Sequence, residues 1–402
     1  MAFQQLRQAC RSLLRVPGLT AVSVLTVALG VGAGTSLFSV VKAVLLNPLP
    51  YPDAEKLIWL SEVNDSGHPM NVSMDNFQDW RSQNRSFASM TAFAYDSVNV
   101  AADVPQRVVA AVVTPGFFET MGTQPVLGRG FLPAENVERA PLAVIIGHGF
   151  WQRVYGGDPH ILGRTIRMSG YTATVVGVMP AGFSYPDRAE LWLSALALGD
   201  YGTRTAHNFR VVGRLKPGVA IEQAQTDLSE IARRLKRQYP DPWMGKDALL
   251  TPLRTHIAGK ARQPLLILFA AVGFLLLIVC VNVANLLLVR VSARSRELAV
   301  KLALGARRAH LVRQMLTESL LLALSGGALG FLIAFWSMDL LKLLLPVDMP
   351  RAGAIRIDGA VLAFALLISA AAGFLFGLVP AWRATRLNVH DAVKTASRGM
   401  TA

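Results

Sequence analysis

The pattern with the clearest chemical meaning in this 402-residue chain lies at residues 290–319, between two long apolar runs. Apolar and small side chains recur there at spacings of three and four, and on a continuous helix they would form one narrow stripe. Basic side chains lie on the far side of this stripe and beside it. The stripe consists of Leu298, Leu302, Gly305, Ala309, Val312 and Leu316.

Two kinds of contact suit such a segment, and the residues alone favour neither. An amphipathic helix can rest on anionic lipid headgroups, where each Lys or Arg contributes about 1 kcal/mol. The same helix can dock a soluble partner through its apolar stripe. In an alternative arrangement, Gly305 breaks the segment into a short helix and an extension of the third apolar run.

The sequence contains no comparably clear motif for catalysis. The chain holds no Gly-x-Ser-x-Gly, His-Glu-x-x-His or Cys-x-x-Cys motif. His148 lies between two glycines, a pattern typical of a strand-to-helix turn. Residues 157–165 have the wrong glycine spacing for a phosphate-binding loop and lack its lysine. We therefore expect no enzyme, and no catalytic, metal, cofactor or ATP site in this chain. No nucleic-acid partner is expected either.

Positive charge is concentrated in three short segments, each beside an apolar run. Residues 1–18, 290–318 and 381–402 together hold 14 Lys/Arg against 3 Asp/Glu, whereas the rest of the chain holds 26 against 23. This distribution is typical of an integral membrane protein whose basic segments remain in the cytoplasm.

Four apolar runs are long enough to cross a bilayer, which needs about 20 helical residues. Placing every basic segment in the cytoplasm exposes one large domain outside, between the first and second spans. The first run could also be a cleaved signal peptide, but it exceeds the usual apolar length of about 7–15 residues. The predicted divisions are a basic segment (1–18), transmembrane helix 1 (19–46), an exterior domain (47–262), transmembrane helix 2 (263–289), a cytoplasmic loop (290–319), transmembrane helix 3 (320–345), a short exterior loop (346–360), transmembrane helix 4 (361–380) and a cytoplasmic tail (381–402).

The exterior segment alternates short β-branched runs with helical patterns and turn signals. This predicts a mixed α+β domain, which we expect to be split into two lobes. Residues 221–238 predict an amphipathic helix. Thr114-Pro115 predicts a helix cap with proline at the first helical position, opening a short helix at residues 116–121.

Small and polar residues occur at several positions within the apolar membrane-spanning segments. Asn282 and Asn285 lie one turn apart in the second span, where an interhelical hydrogen bond is the simplest role. Glycines in the third and fourth spans predict close helix contacts, within the chain or across a dimer. They are Gly326, Gly327, Gly330, Gly373 and Gly377.

The residues resemble the MacB-type, FtsX-like permeases of ABC transporters. The cytoplasmic sequence Arg-Glu-Leu-Ala-Val-Lys-Leu-Ala-Leu-Gly-Ala and its continuation into the third span are similar to that family's signature, as are the ends of the second and fourth spans. Exterior stretches resemble the MacB-type periplasmic core domain, and the opening is similar to one module of the duplicated permeases of acidobacteria. These segments are residues 296–306, 314–319, 281–290, 380–384, 114–118, 127–129, 213–218, and 15–20 with 28–33.

The resemblance implies that a separate cytoplasmic ATPase, which carries the ATP and Mg²⁺, grips the loop and drives the periplasmic domain. It also implies a homodimer or pairing with a similar permease, and allows a periplasmic adaptor and an outer-membrane channel. MacB itself carries a fused nucleotide-binding domain, which is missing here. The residues expected to couple to the ATPase are Glu297, Leu298, Lys301, Leu302, Leu304, Gly305 and Ala306.

Three functions follow from these expectations. The first is the permease of an ABC exporter or periplasmic efflux system in the bacterial cytoplasmic (inner) membrane. The second is an FtsX-like regulator that relays ATPase motion to a periplasmic cell-wall hydrolase. The third is a membrane-anchored binding or sensor protein without an ATPase, whose loop only touches lipid.

Overall fold

The computed structural model describes residues 7, 9, 11–101, 105–186, 189–199, 203–241, 244–293, 308–344 and 355–385. The chain forms two compact units. One comprises Met1–Asn47 with Ala261–Ala402, and the other is Pro48–Lys260. The first unit holds the membrane-spanning segments, and the second is the domain that the sequence predicts between the first and second spans.

The regular elements follow one another in a fixed order along the described residues. The α-helices are α1 (Pro17–Val41), α2 (Met74–Gln83), α3 (Phe117–Met121), α4 (His148–Tyr155), α5 (Ala195–Leu198), α6 (Ile221–Gln238), α7 (Leu253–Ala293), α8 (Arg308–Leu344) and α9 (Gly359–Thr385). The strands are β1 (Leu57–Val63), β2 (Pro69–Met70), β3 (Phe87–Val100), β4 (Gln106–Val113), β5 (Leu127–Gly128), β6 (Ala143–Ile146), β7 (Thr165–Met168), β8 (Tyr171–Val178), β9 (Leu191–Ser194), β10 (Arg210–Leu215) and β11 (Asp247–Pro252).

Within the described part of the chain, four helices are long and apolar enough to cross a membrane, which confirms the predicted number of spans. Their segments are Pro17–Leu46, Ala261–Ala293, Ala309–Met338 and Gly359–Trp382. The first continues from α1 into a π-helical turn, Lys42–Leu46.

The α1 helix is the most enclosed of the four. In its most apolar window 61% of residues are buried, against 17% for α7. Its Val27 and Val31 belong to a core cluster that also contains Val283 of α7, Leu322 of α8 and Phe376 of α9. A helix that is apolar all round is typical of such a central position.

The second unit is built on one sheet, with strand order β11-β1-β10-β3-β4-β9-β6-β8-β5. Most pairs are antiparallel, but β4 pairs with β9 and β6 with β8 in parallel. The strand β2 adds to β1, while β7 pairs with both β3 and β8. The expected α+β class is confirmed.

In place of two separate lobes, the structure has a single sheet whose two ends are each covered by helices. Helices α2 and α6 pack into one core cluster with β1 and β10, and α4 packs into another with β6 and β8. A third cluster lies at the middle of the strand order, around Phe93, Trp192 and Val212. Strand β1 contributes Ile58 to the first cluster and Trp59 to the middle one, because successive side chains of a strand point to opposite faces.

The expected cap at Thr114-Pro115 is wrong. Helix α3 begins at Phe117, and its N-cap is Gly116 with a φ of 87°, which favours glycine. The Thr114 hydroxyl instead accepts a hydrogen bond from the Ala92 amide at 2.8 Å and lies 3.1 Å from the Thr91 hydroxyl. The hydroxyl thus joins the end of β4 to β3, an alternative that the residue type alone does not distinguish from a cap.

Candidate functional site

The predicted ATPase-coupling residues, Glu297, Leu298, Lys301, Leu302, Leu304, Gly305 and Ala306, lie outside the described residues. The structure describes the two helices that flank them, α7 up to Ala293 and α8 from Arg308. The candidate site is therefore built from these flanks, and from the contacts that connect them to the rest of each unit.

The start of α8 carries an open apolar groove. Three residues of the predicted stripe, Ala309, Val312 and Leu316, line it, together with the neighbouring Arg313 and Leu320. They share one side of the helix because they are three and four residues apart. The described end of the predicted stripe is therefore a surface that presents apolar side chains beside a cation.

Buried charge lies at the same end of the bundle. Arg290, at the end of α7, is 6% exposed, and its guanidinium donates to the main-chain carbonyl of Ser12. Glu318 of α8 is 4% exposed, and both side chains line one small pocket with Pro380 of α9. The pocket therefore brings together side chains from the helix ends on both sides of the loop.

Glycines bring α8 into backbone contact with α1. A Cβ added to Gly330 would lie 2.5 Å from the carbonyl oxygen of Ala28 and 2.9 Å from the amide nitrogen of Gly32. One added to Gly326 would lie 2.7 Å from Val27. Small residues permit this approach, as in other membrane helix pairs.

The other predicted glycines join α8 to α9. A Cβ on Gly373 would lie 2.8 Å from Ala323, and one on Gly377 would lie 2.8 Å from Ser319. A Cβ on Gly327 would collide with the Ser369 hydroxyl. Helix α8 is thus packed closely against two neighbours of the same chain.

An ion pair connects the opposite ends of α1 and α9. Lys42, in the π-helical turn after α1, pairs with Asp358. The second carboxylate oxygen of Asp358 accepts from the amides of Ala360 and Val361 at 3.1 and 3.2 Å, which caps the start of α9. One carboxylate therefore holds two helix ends together where the chain leaves α1.

Asn282 and Asn285 are not brought to a partner within the described chain. Both are exposed on α7, and neither makes a hydrogen bond to another described residue. The predicted interhelical hydrogen bond therefore has no described acceptor or donor in a single copy of the chain.

In the second unit, the segment that follows α1 is fastened to the domain. Leu49 is 7% exposed in the middle core cluster. The ring of Tyr51 packs edge-on against Phe183 and Tyr185, with centroids 6.1 and 5.9 Å apart. We call residues 49–53 the strap.

Arg214 of β10 holds the end of the strap. Its Nη1 donates to the carbonyls of Pro52 at 2.9 Å and Asp53 at 3.3 Å, and its Nε donates to Thr120 at 2.9 Å. Burial lowers the pKa of this guanidinium, against the raising effect of Asp53 and Glu55. It nevertheless stays cationic at neutral pH.

The chain returns towards the membrane helices from the same cluster. Leu253, the first residue of α7, is fully buried there. The next turn stacks His256 on Trp59, with centroids 3.7 Å apart. Both covalent connections of the domain therefore start from one core.

A buried carboxylate organises the end of the domain that carries α2. Glu62 of β1 is 1% exposed and accepts hydrogen bonds from the amide of Ser73 at 3.1 Å and the side chain of Asn76 at 3.0 Å. Its second oxygen accepts from the Gly245 amide at 3.2 Å and lies 3.1 Å from His207 Nε2. One side chain thus connects β1, the start of α2 and two loops.

His207 makes this cluster sensitive to pH. Its hydrogen bond to Glu62 raises the pKa of the imidazole, and the charge of Glu62 adds to this, against the lowering effect of burial. A raised pKa in the folded state stabilises that state below the ordinary histidine pKa of about 6.5, and the stabilisation is lost as pH rises through the folded value. We expect hydrogen exchange at Ser73 to accelerate over this range.

In His207→Gln we expect that pH dependence to disappear after correction for intrinsic exchange. His160→Gln, at an exposed histidine of the same unit, is the control and should retain the wild-type profile. A similar profile in His207→Gln and the wild type would contradict this role for His207.

Sequence reasoning missed Arg214 and the cluster around Glu62. Arg214 lies inside a stretch that was noted for its resemblance, but nothing in its neighbours indicates acceptors 162 and 94 positions away in the chain. The sequence signal for the Glu62 cluster is the presence of this carboxylate among the apolar residues of β1.

These features define a class of protein: a four-span membrane protein with a large α+β domain between its first two spans. Comparison with known families agrees with that class. The MacB-like periplasmic core domain matches residues 20–231, which is more than half of the chain, and the FtsX-like permease C-terminal region matches residues 269–389. The chain belongs to the family of MacB-type, FtsX-like permeases.

Curated relatives include the macrolide export ATP-binding/permease proteins MacB. That of Salmonella paratyphi A is 27% identical over 287 residues, covering 70% of this chain and 42% of the relative. That of Burkholderia pseudomallei is 25% identical over 281 residues, covering 69% and 41%. The matched part of this chain therefore spans less than half the length of these relatives.

Two solved structures are also similar. The periplasmic region of MacB from Actinobacillus actinomycetemcomitans is 13% identical, with a TM-score of 0.41, and covers 55% of this chain and 98% of that one. The extracellular domain of the transporter YknZ from Gram-positive bacteria is 16% identical, with a TM-score of 0.38, and covers 48% and 99%.

Proposed function

We propose that this chain is the permease subunit of an ABC system and transmits motion from a separate cytoplasmic ATPase to its periplasmic domain. Membership of the MacB-type, FtsX-like family is the observation that carries the proposal. ATP and Mg²⁺ belong to the partner. The proposed function is export or efflux from the periplasm. Macrolides are candidate substrates because the curated relatives are named for macrolide export.

The contacts within each unit give this transmission a physical route. The ATPase grips the loop at residues 290–319, which continues into the apolar groove of α8. Movement of α8 reaches α1 and α9 through the glycine contacts. The strap and the start of α7 then carry it into the middle core cluster of the domain, since these are its two covalent connections.

In this proposal the basic ends lie in the cytoplasm and the second unit lies in the periplasm. The charge distribution supports this orientation, because Lys and Arg concentrate in the three segments assigned to the cytoplasm. Two permease copies work together, and a periplasmic adaptor with an outer-membrane channel completes an efflux route in a Gram-negative envelope.

The proposal is tested by purifying the tagged chain from native membranes and assaying ATP hydrolysis in the eluate. A stoichiometric ATPase partner is the expected result. A chain that carries no ATPase under several detergents would overturn the proposal and favour the membrane-anchored sensor, with the loop explained by lipid contact.

Leu302→Asp is expected to abolish association with the ATPase while leaving membrane insertion intact. A carboxylate in the centre of the apolar stripe would be buried without a partner in the docked state, and such burial is strongly unfavourable. Val300→Asp is the matched control, because helical spacing places residue 300 opposite the stripe. Equal recovery of ATPase with both variants would contradict the docking assignment.

An FtsX-like regulator is the second candidate, supported by the match of residues 269–389 to the FtsX-like permease region. The same transmission would then act on a periplasmic cell-wall hydrolase. Deleting the gene distinguishes the two functions. A defect in cell separation without altered export favours the regulator, and altered efflux with normal division favours the transporter.

A further inference from the structure

A short helical segment precedes α1 and is separate from it. Residues 11–14 are helical, whereas Val16 has a non-helical backbone, with φ −131° and ψ 71°, directly before Pro17. A residue that precedes proline disfavours the helical region, so the helix is interrupted there. The first candidate membrane span begins at Pro17, which places this segment next to the membrane boundary. We call residues 7–16 the N-terminal segment.

One side of the N-terminal segment is packed against the membrane bundle. Ala9 and Ser12 are buried, and Leu13 packs against the core cluster of the bundle. The main-chain carbonyl of Ser12 accepts a hydrogen bond from Arg290, and that of Leu13 accepts one from the Thr20 hydroxyl at 2.8 Å. The three packed residues are three and four positions apart and share one helix face, so these contacts determine which side of the segment stays free.

The free side of the N-terminal segment carries three arginines and a leucine. Arg7 and Arg11 are exposed one helical turn apart, and Arg15 is exposed after the helical residues end. Leu14 is 76% exposed and lies on the same side, because positions 7, 11 and 14 fall within about 60° of one another around a helix. Cations around an exposed apolar side chain are typical of a helix that lies in the membrane interface.

No acidic residue is close to these arginines in the sequence. Residues 1–52 contain neither Asp nor Glu. At the same end of the bundle, the carboxylate of Glu318 is 4% exposed and lines the pocket of Arg290. Anionic headgroups supply the missing negative charge. Acyl chains also take up Leu14, whose exposure to water is unfavourable.

We propose that the N-terminal segment binds anionic phospholipids. The guanidiniums of Arg7, Arg11 and Arg15 contact headgroup phosphates, which arginine can bind through two parallel hydrogen bonds. Leu14 lies among the first carbons of the acyl chains. In the proposed orientation the lipids belong to the cytoplasmic leaflet. The inference goes beyond the proposed function and requires no ATPase.

The lipid surface is tested with the full-length chain in liposomes of phosphatidylglycerol and phosphatidylcholine. Cys10 and Cys280, the two cysteines of the chain, are first replaced by serine. A fluorophore is then attached through Leu14→Cys. One of the two lipids at a time carries a nitroxide quencher near its headgroup, and the two quenching curves give the relative affinity of the lipids for this position. Leu367→Cys, at a residue of α9 that is 70% exposed, gives the reference position.

At low salt, the label at position 14 should prefer phosphatidylglycerol about fivefold, which corresponds to about 1 kcal/mol for one headgroup charge beside a cation. The label at position 367 should show no preference. Replacing the three arginines together by glutamine should bring the ratio at position 14 to about one. The matched control removes the same charge from exposed positions of the second unit and should keep the fivefold preference. It combines Arg85→Gln, Arg107→Gln and Arg167→Gln.

Salt provides a second test that needs no arginine substitution and therefore does not depend on the folding of a variant. At about 1 M salt the screening length falls to about 3 Å. The preference at position 14 should then disappear in the chain that keeps all its arginines. A preference that persists at high salt would contradict recognition by these exposed cations.

Three further outcomes would overturn the inference. The first is equal affinity for both lipids at position 14 at low salt. The second is an undiminished preference in the triple arginine variant, which would place the lipid site elsewhere on the bundle. The third is quenching at position 367 with none at position 14, which would mean that water or a protein covers the segment. The liposomes hold the permease alone, so none of these results depends on whether an ATPase is recovered with the chain.

Discussion

Arg214→Met is expected to loosen the strap and to lower the free energy of its local opening by about 2–3 kcal/mol. The guanidinium donates to three main-chain carbonyls, of Pro52, Asp53 and Thr120. Methionine replaces the aliphatic part of the arginine side chain but none of the N–H donors of its guanidinium. Water can replace the donor at the exposed residues Pro52 and Asp53, so each of those two bonds contributes about 0.5–1 kcal/mol, whereas losing the donor to the carbonyl of buried Thr120 costs about 1 kcal/mol.

The measurement is hydrogen exchange of the full-length protein in detergent at the Lys56 amide, which donates to the Asp53 carbonyl at 3.0 Å. A loss of 2–3 kcal/mol corresponds to exchange that is about 30–150 times faster. Under the proposed function, the same variant should still recruit the ATPase but fail to drive the periplasmic domain.

Arg210→Met is the matched control for Arg214→Met. Arg210 lies four residues away on the same strand and face, and its guanidinium stacks 4.4 Å over the ring of Tyr95. Losing a stack of this kind costs about 0.5–1 kcal/mol and leaves the strap bonds intact. Similar exchange rates at Lys56 in the two variants would show that Arg214 does not hold the strap.

The membrane half of the fold could be predicted from sequence because its signals are local. Twenty apolar residues in a row and the position of arginines are properties of short windows, and they locate each span without any knowledge of its neighbours. Which helix faces meet is not local. The glycines of α8 predicted close contact, yet only the structure assigns Gly330 to α1 and Gly327 to α9.

The periplasmic-type domain was less predictable for the same physical reason. Its amphipathic helix at Ile221–Gln238 was predicted with its exact bounds, because a surface helix repeats its apolar face every three or four residues. Thr114 was misassigned because a hydroxyl caps helices and bridges strands equally well. The strap contact joins Arg214 to residues more than 160 positions earlier, and no short-range pattern encodes such a pair.

Gly330→Ala should have the largest effect among single changes in the membrane helices. The added methyl would meet the backbone of Ala28 at 2.5 Å and of Gly32 at 2.9 Å, and backbone atoms cannot rotate away as a side chain can. The two helices must separate, which also opens the neighbouring contact of Gly326 with Val27. Overpacking of this kind costs about 1–3 kcal/mol.

Gly273→Ala on α7 gives the control for that methyl group, because no atom lies within 4 Å of the added Cβ. Alanine is favoured over glycine in a helix interior by about 1 kcal/mol, so this variant should be unchanged or slightly more stable. The propensity gain is common to both variants, so their free energies of unfolding in detergent should differ by about 1–3 kcal/mol, the cost of overpacking at Gly330. If both variants shift alike, the close contact of α1 with α8 does not determine the stability of the bundle, and the proposed transmission from α8 to α1 would have to run through side chains instead.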